Sequence, residues 1–200
     1  MIHRIKPIAV VIMAISILTS GGCATTPPPT FFQLEEPANV QLSGIERGIA
    51  VGVGPLNLPT YLDRPHIVTR ATEHRLELSE FNRWAEPLKE SMLRVLAVNL
   101  SNELETTRVF VFPRRRPVVP IEFTVEINVA RFDGRLGGEV VLVVRWILLG
   151  KEEQLISTKV SIIKEQAAGG DYDSLIKAQN RTLKELSKEI AQAISSSIEK

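Results

Sequence analysis

Between Ile121 and Val129 the chain alternates without a break, with Ile121, Phe123, Val125, Ile127 and Val129 standing between Glu122, Thr124, Glu126 and Asn128. Successive side chains leave a strand toward opposite faces, so this period of two predicts a strand with one dry face and one wet. Two more such stretches follow at close range. Val140–Leu149 puts Val140, Leu142, Val144, Trp146 and Leu148 on one side with Arg145 opposite, and Gln154–Ile163 carries Ile156, Val160 and Ile162. Asp133-Gly134 and Gly137-Gly138 supply turn residues before the second strand, and Gly150–Glu153 turns the chain into the third. Links this short join only antiparallel neighbours, which makes the stretch a meander with one apolar face to cover.

Two segments are built to cover it. One helix is predicted to start near Trp84–Pro87, since proline is tolerated where the first-turn N–H has no partner. Leu88, Met92, Val95, Leu96, Leu100 and Leu104 then keep helical spacing. A second helix, capped by Asp171 or Asp173, carries Leu175, Ile176, Gln179, Leu183, Leu186, Ile190, Ile194 and Ile198 along one stripe, with Lys177, Lys184, Glu185, Lys188 and Glu189 around it. An apolar sheet face and two amphipathic helices satisfy one another. The predicted fold class is α+β, an antiparallel sheet with two amphipathic helices packed on one face.

The remaining elements are shorter. Phe31–Leu34 reads as a brief strand ended by Pro37, Ser43–Arg47 as a polar turn, and Gly48–Val53 as a buried strand. Pro55–Pro65 contains three prolines, which argue against a regular helix or central strand and for an ordered loop. His66–Thr69 and His74–Leu78 read as a strand pair, and Arg108–Phe112 as a short strand. Arg114-Arg115-Arg116 lies between Pro113 and Pro117 and must be loop.

The N-terminal region follows different rules. Arg4 and Lys6 precede an apolar run from Pro7 that closes on Ser20-Gly21-Gly22-Cys23. A basic start, a short apolar segment and a small-residue exit make a secretory signal peptide over residues 1–22, too short to favour a membrane span. The exit resembles a bacterial lipobox, although Ser20 stands where that motif usually has leucine. The resemblance implies that Cys23, the chain's single cysteine, receives a diacylglycerol thioether and an N-acyl chain; no other cofactor is expected. An isolated thiol is otherwise unexpected in an oxidising compartment. Two or more acyl chains hold a protein stably on a bilayer, each buried CH₂ contributing about 0.8 kcal/mol. Ala24 in place of the aspartate that marks inner-membrane retention in such lipoproteins implies the outer membrane, lipid-anchored on the periplasmic face of a Gram-negative cell. Residues 23–30, with Pro27, Pro28 and Pro29, form an extended spacer. Residues 31–200 form a single periplasmic domain.

Charge and motif content exclude several functions. The formal net charge of +1 falls to −1 once Arg4 and Lys6 leave with the signal peptide, which gives no electrostatic reason to bind nucleic acid. Gly48, Gly52 and Gly54 superficially suggest a phosphate cradle, but Pro55 and Pro59 deny it the helix it needs. His66 and His74 stand in no metal-ligand spacing, and the serines lie in no nucleophile-elbow context, so neither metal site nor catalysis is expected.

Two motifs carry a wider resemblance. Leu58-Pro59-x-Tyr61-Leu62-Asp63-Arg64-Pro65-x-Ile67-Val68-x-Arg70 and Arg83-Trp84-Ala85-Glu86-Pro87-Leu88 are followed by Arg94-Val95-Leu96, by Asn99-Leu100 and by the closing amphipathic helix. In order and spacing the chain resembles the ABC-type transport auxiliary lipoprotein family. The resemblance implies a non-catalytic subunit of an intermembrane lipid-transport system, partnered by an MCE-domain protein and ABC permease components. A different class stays open, an envelope-assembly lipoprotein that stabilises an outer-membrane channel or cell-wall complex, as does a carrier that itself holds lipid. A homo-oligomer also stays open.

Candidate partner contacts are Tyr61, Leu62, Asp63, Arg64, Arg83 and Trp84, with Arg114, Arg115 and Arg116 as a basic patch for an acidic partner or anionic headgroups. The same residues have a structural reading. Tyr61, Leu62 and Trp84 would seal the sheet edge, Asp63 and Arg64 would pin a turn, and the arginine run would be a solvated loop.

Overall fold

The computed structural model describes residues 26–37, 48–112 and 119–198. Among these residues eight strands and two α-helices occur in the order β1 (Thr30–Phe32), β2 (Val51–Asn57), β3 (His66–Arg70), β4 (Leu76–Trp84), α1 (Leu88–Glu103), β5 (Val109–Val111), β6 (Phe123–Gly134), β7 (Glu139–Leu149), β8 (Leu155–Gln166) and α2 (Tyr172–Ile198). A five-stranded sheet has the order β5-β2-β6-β7-β8, and a three-stranded sheet the order β1-β4-β3. The α+β class stands. The β6-β7-β8 meander is antiparallel as expected, but the sheets are mixed, because β2 runs parallel to both β5 and β6, and β1 runs parallel to β4. Short links dictate antiparallel pairing only between consecutive strands. The path from β2 to its partners passes through β3, β4 and α1, long enough for a parallel return.

The inward face of the large sheet is the one the alternation marks. Val125, Ile127, Val140, Leu142, Val144, Trp146 and Leu148 are all buried. Both helices lie over it, α1 with Leu88, Met92, Val95, Leu96 and Leu100, and α2 with Leu175, Ile176, Leu183, Leu186, Ile190 and Ile194. Each fully buried aliphatic side chain of this kind contributes about 2 kcal/mol. Asp171 caps α2 through its Oδ1, which accepts from Ser174 N–H at 2.7 Å. Helix α1 begins at Leu88 after Pro87 rather than at Trp84, which closes β4 instead. Ile198, at the far end of the predicted stripe, is exposed.

Strand β2 extends through Pro55 to Asn57, where the prolines argued for a loop. Its neighbour β5 pairs only with Val51–Val53, so nothing needs an N–H from Pro55 on that side. On the other side the register to β6 shifts between Val53 and Leu56, leaving an extra residue in β2. The glycines of this strand make room for Phe112. A Cβ on Gly52 would stand 2.3 Å from its ring, and one on Gly54, at φ +118°, would stand 2.6 Å from its carbonyl oxygen. Backbone clearance, not phosphate binding, accounts for the G-x-G spacing.

A second irregularity has larger consequences. The β6–β7 register shifts between Val129 and Arg131, so Ala130 is an extra residue. Beyond it the alternation inverts, with Phe132 paired to inward-facing Leu142 and Asp133 paired to Val141 on the opposite face. Asp133 is therefore a strand residue and not the turn predicted for it. The turn lies at Arg135–Gly138, closed by Gly138 N–H to the Arg135 carbonyl at 3.0 Å.

Strand β8 departs furthest from expectation. Trp146 pairs with Lys159 and Val143 with Ile162, so the inward residues of β8 are Lys159, Ser161 and Ile163. The aliphatic residues Ile156, Val160 and Ile162 that mark this strand in the sequence point away and are all exposed. Polar contacts to α2 set this register. Trp146 Nε1 donates to Ser161 Oγ at 3.0 Å, and Ser161 Oγ and Lys159 Nζ both donate to Glu189 Oε2, at 2.6 and 2.8 Å. The register predicts that Ile163→Ala lowers the unfolding free energy by about 2 kcal/mol. Ile162→Ala, one residue away, should change it by less than about 0.5 kcal/mol. Chemical denaturation of both variants checks the pair, and equal losses would contradict the assigned faces.

Candidate functional site

The densest polar cluster lies where the small sheet and the 59–65 segment cross the outer face of the large one. Its centre is Asp133, whose side chain is fully buried. Tyr61 Oη donates to Oδ2 at 2.8 Å, Arg70 donates from Nε to Oδ1 at 2.7 Å and from Nη2 to Oδ2 at 2.8 Å, and Arg131 Nε donates to Oδ1 at 2.9 Å. Arg70 spends its last terminal nitrogen on the Glu73 carbonyl at 2.8 Å. Each carboxylate oxygen thus accepts two hydrogen bonds, from a forked guanidinium and two further donors.

Each partner comes from a different stretch. Tyr61 is set by a turn in which the Pro59 carbonyl accepts from the N–H groups of Leu62 and Asp63, at 2.9 and 3.3 Å. Arg70 ends β3, and Arg131 and Asp133 reach the outer face because the extra Ala130 reverses the alternation of β6. Burial alone would push the Asp133 carboxyl up. The hydrogen bonds from Arg70, Tyr61 and Arg131 outweigh it and hold the group below the usual carboxylate range. Burial, joined by the hydrogen bond to Asp133, pushes the Tyr61 phenol up to about 12. With its lone pairs occupied and its charge matched, this carboxylate has no capacity left to take a proton from a substrate. The arrangement clamps one sheet to the other.

Beside the clamp lies a cavity of about 480 Å³ lined by Arg70, Thr72, Glu73, Arg131, Arg135 and Glu139. Its walls are charged, and Glu139 is itself paired with Lys164 Nζ at 3.0 Å. A second cluster fixes α1. Arg94 donates to Glu86 Oε2 at 2.7 Å, pairs with its other oxygen, and also holds Glu36 beyond β1. The hydrogen bond from Arg94 lowers the Glu86 carboxyl against its burial.

The predicted contact residues divide accordingly. Tyr61 is a member of the clamp. Leu62 and Trp84 are 3 % and 5 % exposed, so their side chains pack inside the domain and offer no contact area. Asp63 is exposed, and among the described residues no ion pair joins it to Arg64, whose Nη2 donates to the Thr60 carbonyl at 3.3 Å. Arg83 stands on the small sheet with its Nε on the Glu80 carbonyl at 3.0 Å. Cys23 and Arg114, Arg115 and Arg116 lie outside the described residues, as does the polar turn at 43–47. Arg70, Arg131 and Asp133 are the site residues that sequence reasoning missed. The resemblance contained Arg70, but its partner was read as a turn. Among the described residues no group of three or more His, Cys, Asp or Glu stands close enough to hold a metal ion.

Comparison with known proteins fits this fold to a class. The chain belongs to the family described as the ABC-type transport auxiliary lipoprotein component, which matches residues 32–191. It is similar to the intermembrane transport lipoprotein PqiC of Escherichia coli (strain K12), 25% identical over 185 residues that cover 92% of this chain and 96% of the relative, and equally to PqiC of Shigella flexneri. A crystal structure of an uncharacterized protein shares the fold with a TM-score of 0.68 at 23% identity, covering 84% of this chain and 99% of that one. Protein XCC0632 from Xanthomonas campestris shares it with a TM-score of 0.62 at 15% identity, covering 86% of this chain and 97% of that one.

The clamp generates a pH dependence. A folded carboxyl held below its ordinary value of 3.8 contributes stability above that pH and loses it as pH falls through the folded value. Asp133→Asn should therefore cost about 3 kcal/mol at neutral pH, by stranding two arginines, with the gap to the parent closing as pH falls below about 4. Tyr61 has the opposite sign. Its phenol favours the folded state fully below 10 and loses that effect as pH rises toward about 12. Denaturation curves across pH test both, and a gap for Asp133→Asn that widens in acid would contradict the assignment.

Proposed function

We propose that this chain is a lipid-anchored, non-catalytic subunit of an intermembrane lipid-transport system, acylated at Cys23 and docking a periplasm-spanning MCE-type partner at the outer membrane. In this reading residues 1–22 are removed, 23–30 tether, and 31–200 form the working domain. The observation that carries it is the family match over 32–191, together with the similarity to PqiC along nearly the full length of both chains.

The geometry supports a docking role over a carrying one. The 480 Å³ cavity is lined by three arginines, two glutamates and a threonine, whose charged heads make it a poor seat for an acyl chain. Among the described residues no helix is long and apolar enough to cross a membrane. The outer side of β8, by contrast, is an apolar surface at a sheet edge, with Leu155 61%, Val160 53% and Ile162 63% exposed. Among the described residues its strand pairs with β7 alone, which leaves a row of backbone groups open to a partner strand. Apolar area of this kind on a folded surface marks interaction sites. Asp63, Arg64 and the 114–116 arginines are secondary contacts in the same reading.

Capture of the tagged, detergent-solubilised protein from cells expressing the whole transport operon should recover an MCE-domain protein. Val160→Asp with Ile162→Asp should reduce that recovery at least about tenfold, a loss of roughly 1.4 kcal/mol, with thermal unfolding unchanged. Recovery of secretin or cell-wall components without an MCE protein would contradict the proposal.

A further inference from the structure

The small sheet has an outer face of its own, and its composition does not suit open water. Phe31, Arg83 and His66 form one row across β1, β4 and β3, since Arg83 is the register partner of both other residues. The opposite side of the same sheet carries Phe32 and Trp84, which pack on the core. Phe31 is 60% exposed and Phe81 36%. Phe81 and Arg83 line a shallow cavity of about 380 Å³ with Thr26, Pro27, Pro29 and His66. The extended spacer therefore lies along the edge of this aromatic face.

The position of the anchor selects what covers it. Thr26 is only three residues from Cys23, and covalent geometry limits three residues to about 11 Å. An acylated Cys23 must sit at the headgroup level of the bilayer, so the cavity edge can stand no further from the lipid surface than that. A tether this short raises the effective concentration of membrane at the face to the millimolar range or above, so weak apolar contacts become populated. Glu80 and Arg83 offset one another there, which leaves aromatic insertion rather than charge as the attraction.

We infer that the outer face of the small sheet, through Phe31 and Phe81, rests on the lipid bilayer and fixes the orientation of the domain above it. The inference rests on acylation of Cys23, and its test separates the two. Because a thioether consumes Cys23, a cysteine introduced by Phe31→Cys or Phe81→Cys is the single free thiol of the acylated protein. Each variant is labelled with an environment-sensitive fluorophore and reconstituted as full lipoprotein in phosphatidylcholine vesicles with and without bromine-bearing acyl chains. Gln192→Cys is the control, since it is exposed and lies twelve residues, about 18 Å, along α2 from Asn180, which holds the Glu35 N–H just beyond β1.

Brominated lipid should quench the labels at 31 and 81 at least about twofold and leave 192 unchanged, with thermal unfolding as in the parent. Acylated protein, verified by intact mass, in which 31 and 81 are quenched no more than 192 would overturn the docking while leaving the lipoprotein reading intact. Protein whose mass lacks acyl chains at Cys23 would overturn both. Quenching that requires anionic phosphatidylglycerol, or disappears in high salt, would overturn the apolar basis of the contact.

Discussion

A buried carboxylate holds this domain together as one piece. Asp133 accepts four hydrogen bonds, from Tyr61 in the segment before β3, from both prongs of Arg70 at its end, and from Arg131 two residues away on its own strand. The three-stranded sheet also shares the apolar core of the five-stranded one through Ile67, Val68 and Trp84, and the carboxylate adds the directional contact between them. A buried ion pair contributes little net stability against an apolar alternative, but breaking one side of it is expensive. The clamp therefore specifies how one sheet sits on the other more than it adds to the total free energy. The family motif that ends on Arg70 gains a physical meaning from this, because its tyrosine and its final arginine serve a shared carboxylate.

Around the clamp the fold assigns its surfaces to separate tasks. Helices α1 and α2 occupy the inward face of the large sheet, and the small sheet covers one end of the outward face. Among the described residues two apolar surfaces stand out, the outer side of β8 and the aromatic face beside the spacer. They belong to different sheets. In the proposed reading the open strand edge of the first meets a protein, and the short tether beside the second holds it at a bilayer.

Much of the fold was legible in the sequence wherever periodicity reported burial directly. The alternation of Val140–Leu149 and the stripe of α2 as far as Ile194 are both found as read, because each packs against a continuous apolar layer. The failures have one physical cause, since pattern records composition while pairing register records contacts. Ile156, Val160 and Ile162 mark β8 as a strand without fixing which way it faces, and Lys159 and Ser161 take the inward side because Glu189 and Trp146 offer them partners. Asp133 next to Gly134 has the composition of a turn, and only the extra residue at Ala130 shows that it is re-aimed into the interior. Parallel pairing of β2 left no local trace either, because its partners are remote in sequence. Of the candidate site, the motif residues were visible and their common target was not.

The central claim is that the two sheets behave as one body because of Asp133, and hydrogen exchange tests it most directly. In the parent protein the amides of Ile67–Arg70 in β3 should be as protected as those of Ile127–Val129 in β6, since both open only with the whole domain. In Asp133→Asn the β3 amides should lose protection while those of β7 keep theirs. Equal protection of β3 in the parent and in the variant would show that the sheets are joined without the carboxylate and would contradict the account.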